Sequence, residues 1–138
     1  MCLWYNEKLT KQKLNYFKRN NIKEIIVWKV LRKHNDRYVS PYKSMRYNIG
    51  VNVRKRVPKN ILKRGYLCYT IQSGALHVYS SRKEARYHVN SSSNIDSVRE
   101  SKRNVIRCRV KVKDIIAYGT KRDIAVKALY IDKFSEKP

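Results

Sequence analysis

The stretch Val105 to Val112 reads V-I-R-C-R-V-K-V and leaves the chain little freedom. On an extended backbone Ile106, Cys108, Val110 and Val112 point one way, and Arg107, Arg109 and Lys111 point the other. Alternation with a period of two defines a strand buried on one face and wetted on the other. The wetted face here is wholly basic. The chain must therefore build a sheet that turns cations outward.

Other segments supply the rest of that sheet. Glu24 to Leu31 (E-I-I-V-W-K-V-L) is rich in β-branched residues and nearly continuous in apolar ones, as a central strand buried on both faces requires. Ile124 to Ile131 (I-A-V-K-A-L-Y-I) reads as a last, largely buried strand. Tyr66 to Ile71 and Ala75 to Tyr79 flank Gln72-Ser73-Gly74, a hairpin signal. Val51 to Val57 alternates weakly after Gly50, and His34-Asn35-Asp36 supplies turn chemistry.

Asn6 to Asn20 reads as a basic helix with Leu9, Leu14, Tyr16 and Phe17 as its apolar residues, so that residues 1–21 form an N-terminal basic element. Pro58 opens a short helix over Lys59 to Lys63, ended by Arg64-Gly65. Ser81-Arg82-Lys83-Glu84 is a capping box that starts a helix running to about Val89. Five serines make 90–104 a flexible loop, and 132–138 is a polar tail. No segment repeats. The expected fold is one α+β domain of 138 residues: a small, mostly antiparallel sheet with an N-terminal helix and one or two short helices packed on it.

Thirty-three Lys and Arg stand against ten Asp and Glu, a formal charge of +23. Self-repulsion at that level opposes folding, and a polyphosphate partner relieves it. Residues 1–70 carry eighteen basic and three acidic side chains, and 71–138 carry fifteen and seven, so the first half should face the polyanion. The densest cluster is Arg54-Lys55-Arg56 with Lys59, Lys63 and Arg64, which Lys18-Arg19 at the end of the first helix can join. Phosphate contacts need only cations on flexible stems. Arg107, Arg109 and Lys111 add a second basic surface. Eleven tyrosines are the other feature, and Tyr42, Tyr47 and Tyr66 lie among cations as base-stacking rings would, although tyrosine is equally at home in a core.

Signatures of chemistry are missing. His34, His77 and His88 are scattered, the carboxylates are few and unpaired, and the four glycines are isolated from one another. No catalytic residue, metal site or cofactor is assigned. Cys2, Cys68 and Cys108 show neither C-x-x-C spacing nor a His partner, which fits small buried thiols in a reducing compartment. No apolar run approaches the ~18 residues of a membrane span, and no signal-peptide core is seen at the N-terminus. The expected setting is intracellular, in a host cytoplasm or nucleus or within a virion.

Met1-Cys2, Trp28-Lys29-Val30-Leu31, Ser40-Pro41-Tyr42, Gly50, Leu76-His77-Val78-Tyr79, Glu84-Ala85 and Val110 to Ile116 occur in that order. In this the chain resembles a group of small proteins of phages and large DNA viruses. The resemblance implies a viral-type α+β protein and carries no activity with it. The stretches Ala75 to Tyr87 and Val105 to Gly119 also look like the middle of ADP-ribosyltransferase-like domains. Trp28-Lys29 stands where such enzymes often place a His or Arg, and Ala128 to Ile131 lacks their catalytic Glu. The expected function is non-catalytic binding of nucleic acid, RNA or DNA. An effector that docks on an acidic host or defence protein is the first alternative, and a transferase-like enzyme is the second.

Overall fold

The computed structural model describes residues 3–34, 37–40, 45–54, 62–64, 69–71, 75–91, 103–120 and 122–134. Among the described residues are two sheets, two α-helices and one 3₁₀ turn. Strands β1 (Leu3–Tyr5), β6 (Leu62–Arg64) and β7 (Tyr69–Ile71) form a three-stranded sheet in the order β1-β7-β6.

The larger sheet has nine strands. They are β2 (Glu24–His34), β3 (Arg37–Val39), β4 (Arg46–Tyr47), β5 (Gly50–Val53), β8 (Leu76–Tyr79), β9 (Arg103–Lys111), β10 (Ile115–Tyr118), β11 (Asp123–Val126) and β12 (Ala128–Ile131). Seven of them follow the order β10-β11-β8-β2-β9-β12-β5, with β3 and β4 continuing from the far end of β2. All the described pairings are antiparallel. The α+β class stands, but the sheet is larger than expected.

That order forces the sheet to roll. β11 and β12 are separated by three strands, which on a flat sheet would set them roughly 19 Å apart. Yet only Lys127 lies between them, and the residues on either side of it can be no more than about 7 Å apart. The path β11-β8-β2-β9-β12 therefore curls back on itself. Lys127 ties its flanks together: its N–H donates to the Asp114 carbonyl (2.8 Å), just before β10, and its carbonyl accepts from Arg54 N–H (3.0 Å), just after β5.

Inside the roll lies the core. The register places Val27 opposite Cys108 and Ile25 opposite Val110, and Val78, Ile106, Ile124, Val126, Leu129 and Ile131 are among the residues that join them. β9 buries Ile106, Cys108 and Val110 and exposes Arg107 and Lys111, as its alternation requires. Val112 leaves the pattern, because a 3₁₀ turn, Val112–Asp114, ends the strand before it.

Helix α1 (Glu7–Arg19) is capped by Asn6, whose Oδ1 accepts from Leu9 N–H at 3.0 Å. Its Phe17 enters the core, and Leu9 and Leu14 pack against it. Thr10 seats the helix on β10, its hydroxyl accepting from Tyr118 N–H at 2.9 Å and donating to the Asn6 carbonyl at 2.7 Å. Helix α2 (Arg82–Ser91) follows β8 and lies across β2, β9 and β8. The Ser81 cap holds, with Glu84 N–H donating to Oγ at 3.1 Å.

Several expectations fail. Tyr66 to Tyr79 makes no hairpin: β7 joins β1 and β6, whereas β8 joins the large sheet, where Leu76 and Val78 are buried. Leu62 and Lys63 are strand, not helix, because they pair with Ile71 and Thr70, while 55–61 lie outside the described residues. The expected loop 90–104 is narrower, since Asn90 and Ser91 are in α2 and Arg103 and Asn104 are in β9, where they pair with Arg32 and Leu31. Within it, 92–102 lie outside the described residues. Gly50 starts β5 at a φ of +98°, a backbone that favours glycine. The polar tail is anchored at its root by Phe134, stacked on Tyr38 with ring centroids 4.0 Å apart.

Candidate nucleic-acid interface

Strand register gathers cations from distant parts of the chain at one end of the roll. Glu24 on β2 faces Lys111 on β9, and Val53 on β5 faces Ala128 on β12. Continuing the β12–β9 register sets Ala128 beside Lys111, so these four residues form one row across the sheet. One residue further out comes Lys23, whose carbonyl accepts from Val112 N–H at 2.9 Å, and then Lys127 and Arg54, joined by their backbone hydrogen bond. Three inter-strand steps make this rim roughly 14 Å wide.

Lys18 and Arg19, in the last turn of α1, precede Lys23 by only a few residues. Lys18, Arg19, Lys23, Lys111, Lys113 and Lys127 are all exposed, and none has a carboxylate partner among the described residues. Without such partners these ammonium and guanidinium groups stay hydrated and open to phosphate. Arg54 is half-buried and turned toward Met45, with Nη1 3.8 Å from Sδ. Lys55, Arg56, Lys59, Tyr42 and Tyr66 lie outside the described residues, and only the backbone of Lys63 and Arg64 is described.

Arg107, Arg109 and Lys111 do share the outer face of β9, but Arg109 is already engaged. Its Nη2 and Nε meet Asp132 Oδ1 and Oδ2 at 2.8 and 3.0 Å, and Nη1 lies 3.4 Å from Glu24 Oε1. Its guanidinium also lies 4.4 Å from the centre of the Tyr130 ring. The carboxylates hold its charge well on the protonated side. Arg109 pins β12 to β9 and β2, and a phosphate would have to displace two carboxylates to reach it. Arg107 is exposed and without an ion pair among the described residues.

Tyr47 is no stacking ring. It is 3% exposed, opposite Tyr38 in the β3–β4 pair, and its ring faces the Lys29 ammonium at 5.3 Å. Burial raises its phenol. Among the described residues the exposed rings are Tyr16 on α1, Tyr87 on α2 and Tyr130 on β12, which lie on three different elements. Tyr16 lies nearest the rim in sequence, two residues before Lys18.

Lys23, Lys113 and Lys127 escape a reading of the sequence because each is a single lysine among apolar or mixed neighbours. Only the pairing of strand ends brings them together. Lys29 is also missed: in the apolar run of β2 it points into the core, 7% exposed, and donates to the His77 carbonyl at 2.6 Å. Burial pushes its ammonium down to about 8, and the same burial pushes the neighbouring Cys108 thiol up to about 12. A thiol held protonated in the core is no nucleophile.

Among the described residues no three His, Cys, Asp or Glu side chains converge as metal ligands do, and no helix is long and apolar enough to cross a membrane. Comparison of the chain with protein-family models, curated proteins and solved structures finds no match.

Proposed function

We propose that this protein binds nucleic acid, RNA or DNA, by its phosphates, with the rim of Lys18, Arg19, Lys23, Lys111, Lys113 and Lys127 as the contact surface. The observation that carries the reading is the gathering of six exposed, unpaired cations at one end of the roll in a chain of formal charge +23. A phosphate backbone fits this arrangement because each contact releases condensed counterions and asks for no fixed geometry. Among the described residues the exposed tyrosines lie on different elements, which favours contacts that position a backbone. Arg107 and the cluster Arg54 to Arg64 would extend the surface.

Two variants of equal charge test the assignment in gel-shift titrations with RNA and DNA oligonucleotides. Lys23, Lys111, Lys113 and Lys127 are changed to Ala in one, and Lys8, Lys13, Lys83 and Lys133 in the other. The rim variant is expected to lose at least tenfold more affinity. Equal losses would show that overall charge acts without a defined surface.

A further inference from the structure

The outer face of the roll ends at β5, whose construction differs from the basic surface around it. β5 closes the strand order and pairs only with β12, and among the described residues nothing pairs with its other edge. Arg54 N–H donates to the Lys127 carbonyl, so the pair Arg54/Lys127 is hydrogen-bonded. In an antiparallel ladder such pairs alternate with open ones. Val53 and Val51, opposite Ala128 and Tyr130, therefore turn their N–H and C=O groups away from β12, onto the free edge.

The side chains of those same two residues lie in the open. Val51 is 65% exposed and Val53 44%, with Ile49 at 52% and Tyr130 at 37% beside them. Asn52, between the valines, is buried, and its amide holds the backbone of Asn48 and Gly50, which fixes the approach to the strand. Natural edge strands are usually guarded by a charge, a proline or a bulge on the strand itself. β5 has none of these in Gly50–Val53.

We infer that β5 is a docking edge for an extended acidic segment of another protein, which adds a strand to the sheet. Three observations select this occupant. A strand supplies donors and acceptors in the spacing that the backbone groups of Val51 and Val53 need, whereas a nucleic-acid backbone supplies phosphate acceptors, with the 2′-hydroxyl of RNA as its one donor, and gives the valines little to pack on. A second copy of this chain would bring another +23 to the edge. Arg46, Arg54 and Lys127 flank β5 in sequence or by backbone hydrogen bond, and Asp132, which follows β12, is held by Arg109. The surface is thus apolar along the strand and cationic at its margins, the complement of alternating apolar and acidic residues.

The probe is a capped ten-residue peptide of alternating Glu and Val. A Glu-Pro peptide of equal charge, which lacks half the N–H groups a strand needs, is the control. The full-length protein should bind Glu-Val at least tenfold more tightly than Glu-Pro, and binding should slow amide exchange at Val51 and Val53. Changing both valines to Glu should abolish the preference, with the melting temperature checked because both side chains are exposed. Two results would overturn the inference. One is equal binding of the peptides with exchange at Val51 and Val53 unchanged, which is adsorption by charge. The other is concentration-dependent dimerisation that protects the same amides without any peptide.

Discussion

Lys29 is the residue whose environment departs furthest from what its chemistry favours. Its ammonium sits in the core with the His77 carbonyl, the Tyr47 ring and the Cys108 sulfur as neighbours. In the unfolded chain it titrates near 10.5, and in the fold near 8. Below pH 8 it is charged in both states, and the fold bears the full cost of desolvation, up to about 3 kcal/mol. As pH rises above 8 the folded chain releases a proton that the unfolded chain keeps, so stability rises. Cys108 acts in the opposite sense above its ordinary 9.0, since the folded thiol keeps its proton up to about 12. Urea denaturation should therefore show stability growing by about 0.6 kcal/mol between pH 8 and 9, about 1 from Lys29 less about 0.4 from Cys108. Lys29→Met should be more stable than the parent at pH 7 and lose that rise. A parent with no rise between pH 8 and 9 would contradict this account of Lys29.

At the scale of elements, one buried hydroxyl joins α1 to β10. Thr10→Val keeps the shape but leaves Tyr118 N–H without its acceptor, which should cost about 1–3 kcal/mol in urea denaturation. An unchanged midpoint would mean that Phe17, Leu9 and Leu14, with the Asn6 N–H to Tyr118 carbonyl bond, seat the helix without the hydroxyl. Helix α1, β2, β9 and the α2 cap were all legible in the sequence, because periodicity and caps are local signals. Pairing is not local, and there the reading fails. The run Ile124 to Ile131 looks like one strand, yet its positions in the main core shift phase, from Ile124 and Val126 to Leu129 and Ile131, with Ala125 buried in a second, smaller cluster. Lys127 marks the slip where the chain passes from one side of the roll to the other. Tyr66 to Tyr79 misleads for a related reason, since a turn signal says nothing about which sheet each arm will enter. Of the candidate site, Lys18, Arg19, Arg107 and Lys111 could be read as exposed cations. Burial of Tyr47 and the engagement of Arg109 depend on partners more than 15 residues away, such as Lys29 and Asp132.

For the whole molecule, the rolled sheet brings six of its exposed cations to one end. Cations that the sequence scatters from Lys18 to Lys127 meet at one end, while the apolar edge β5 stands beside them. If phosphates neutralise that end, affinity must follow salt in a defined way, because each phosphate contact adds about 0.9 to the slope of log K against log salt on duplex. The most direct measurement is that slope, by fluorescence anisotropy with a labelled duplex, for the parent and for the variant with Lys23, Lys111, Lys113 and Lys127 changed to Ala. The parent should bind at low salt with a steep negative slope, and the variant's slope should be shallower by roughly three to four. A parent that retains no oligonucleotide at low salt, or two equal slopes, would contradict the account.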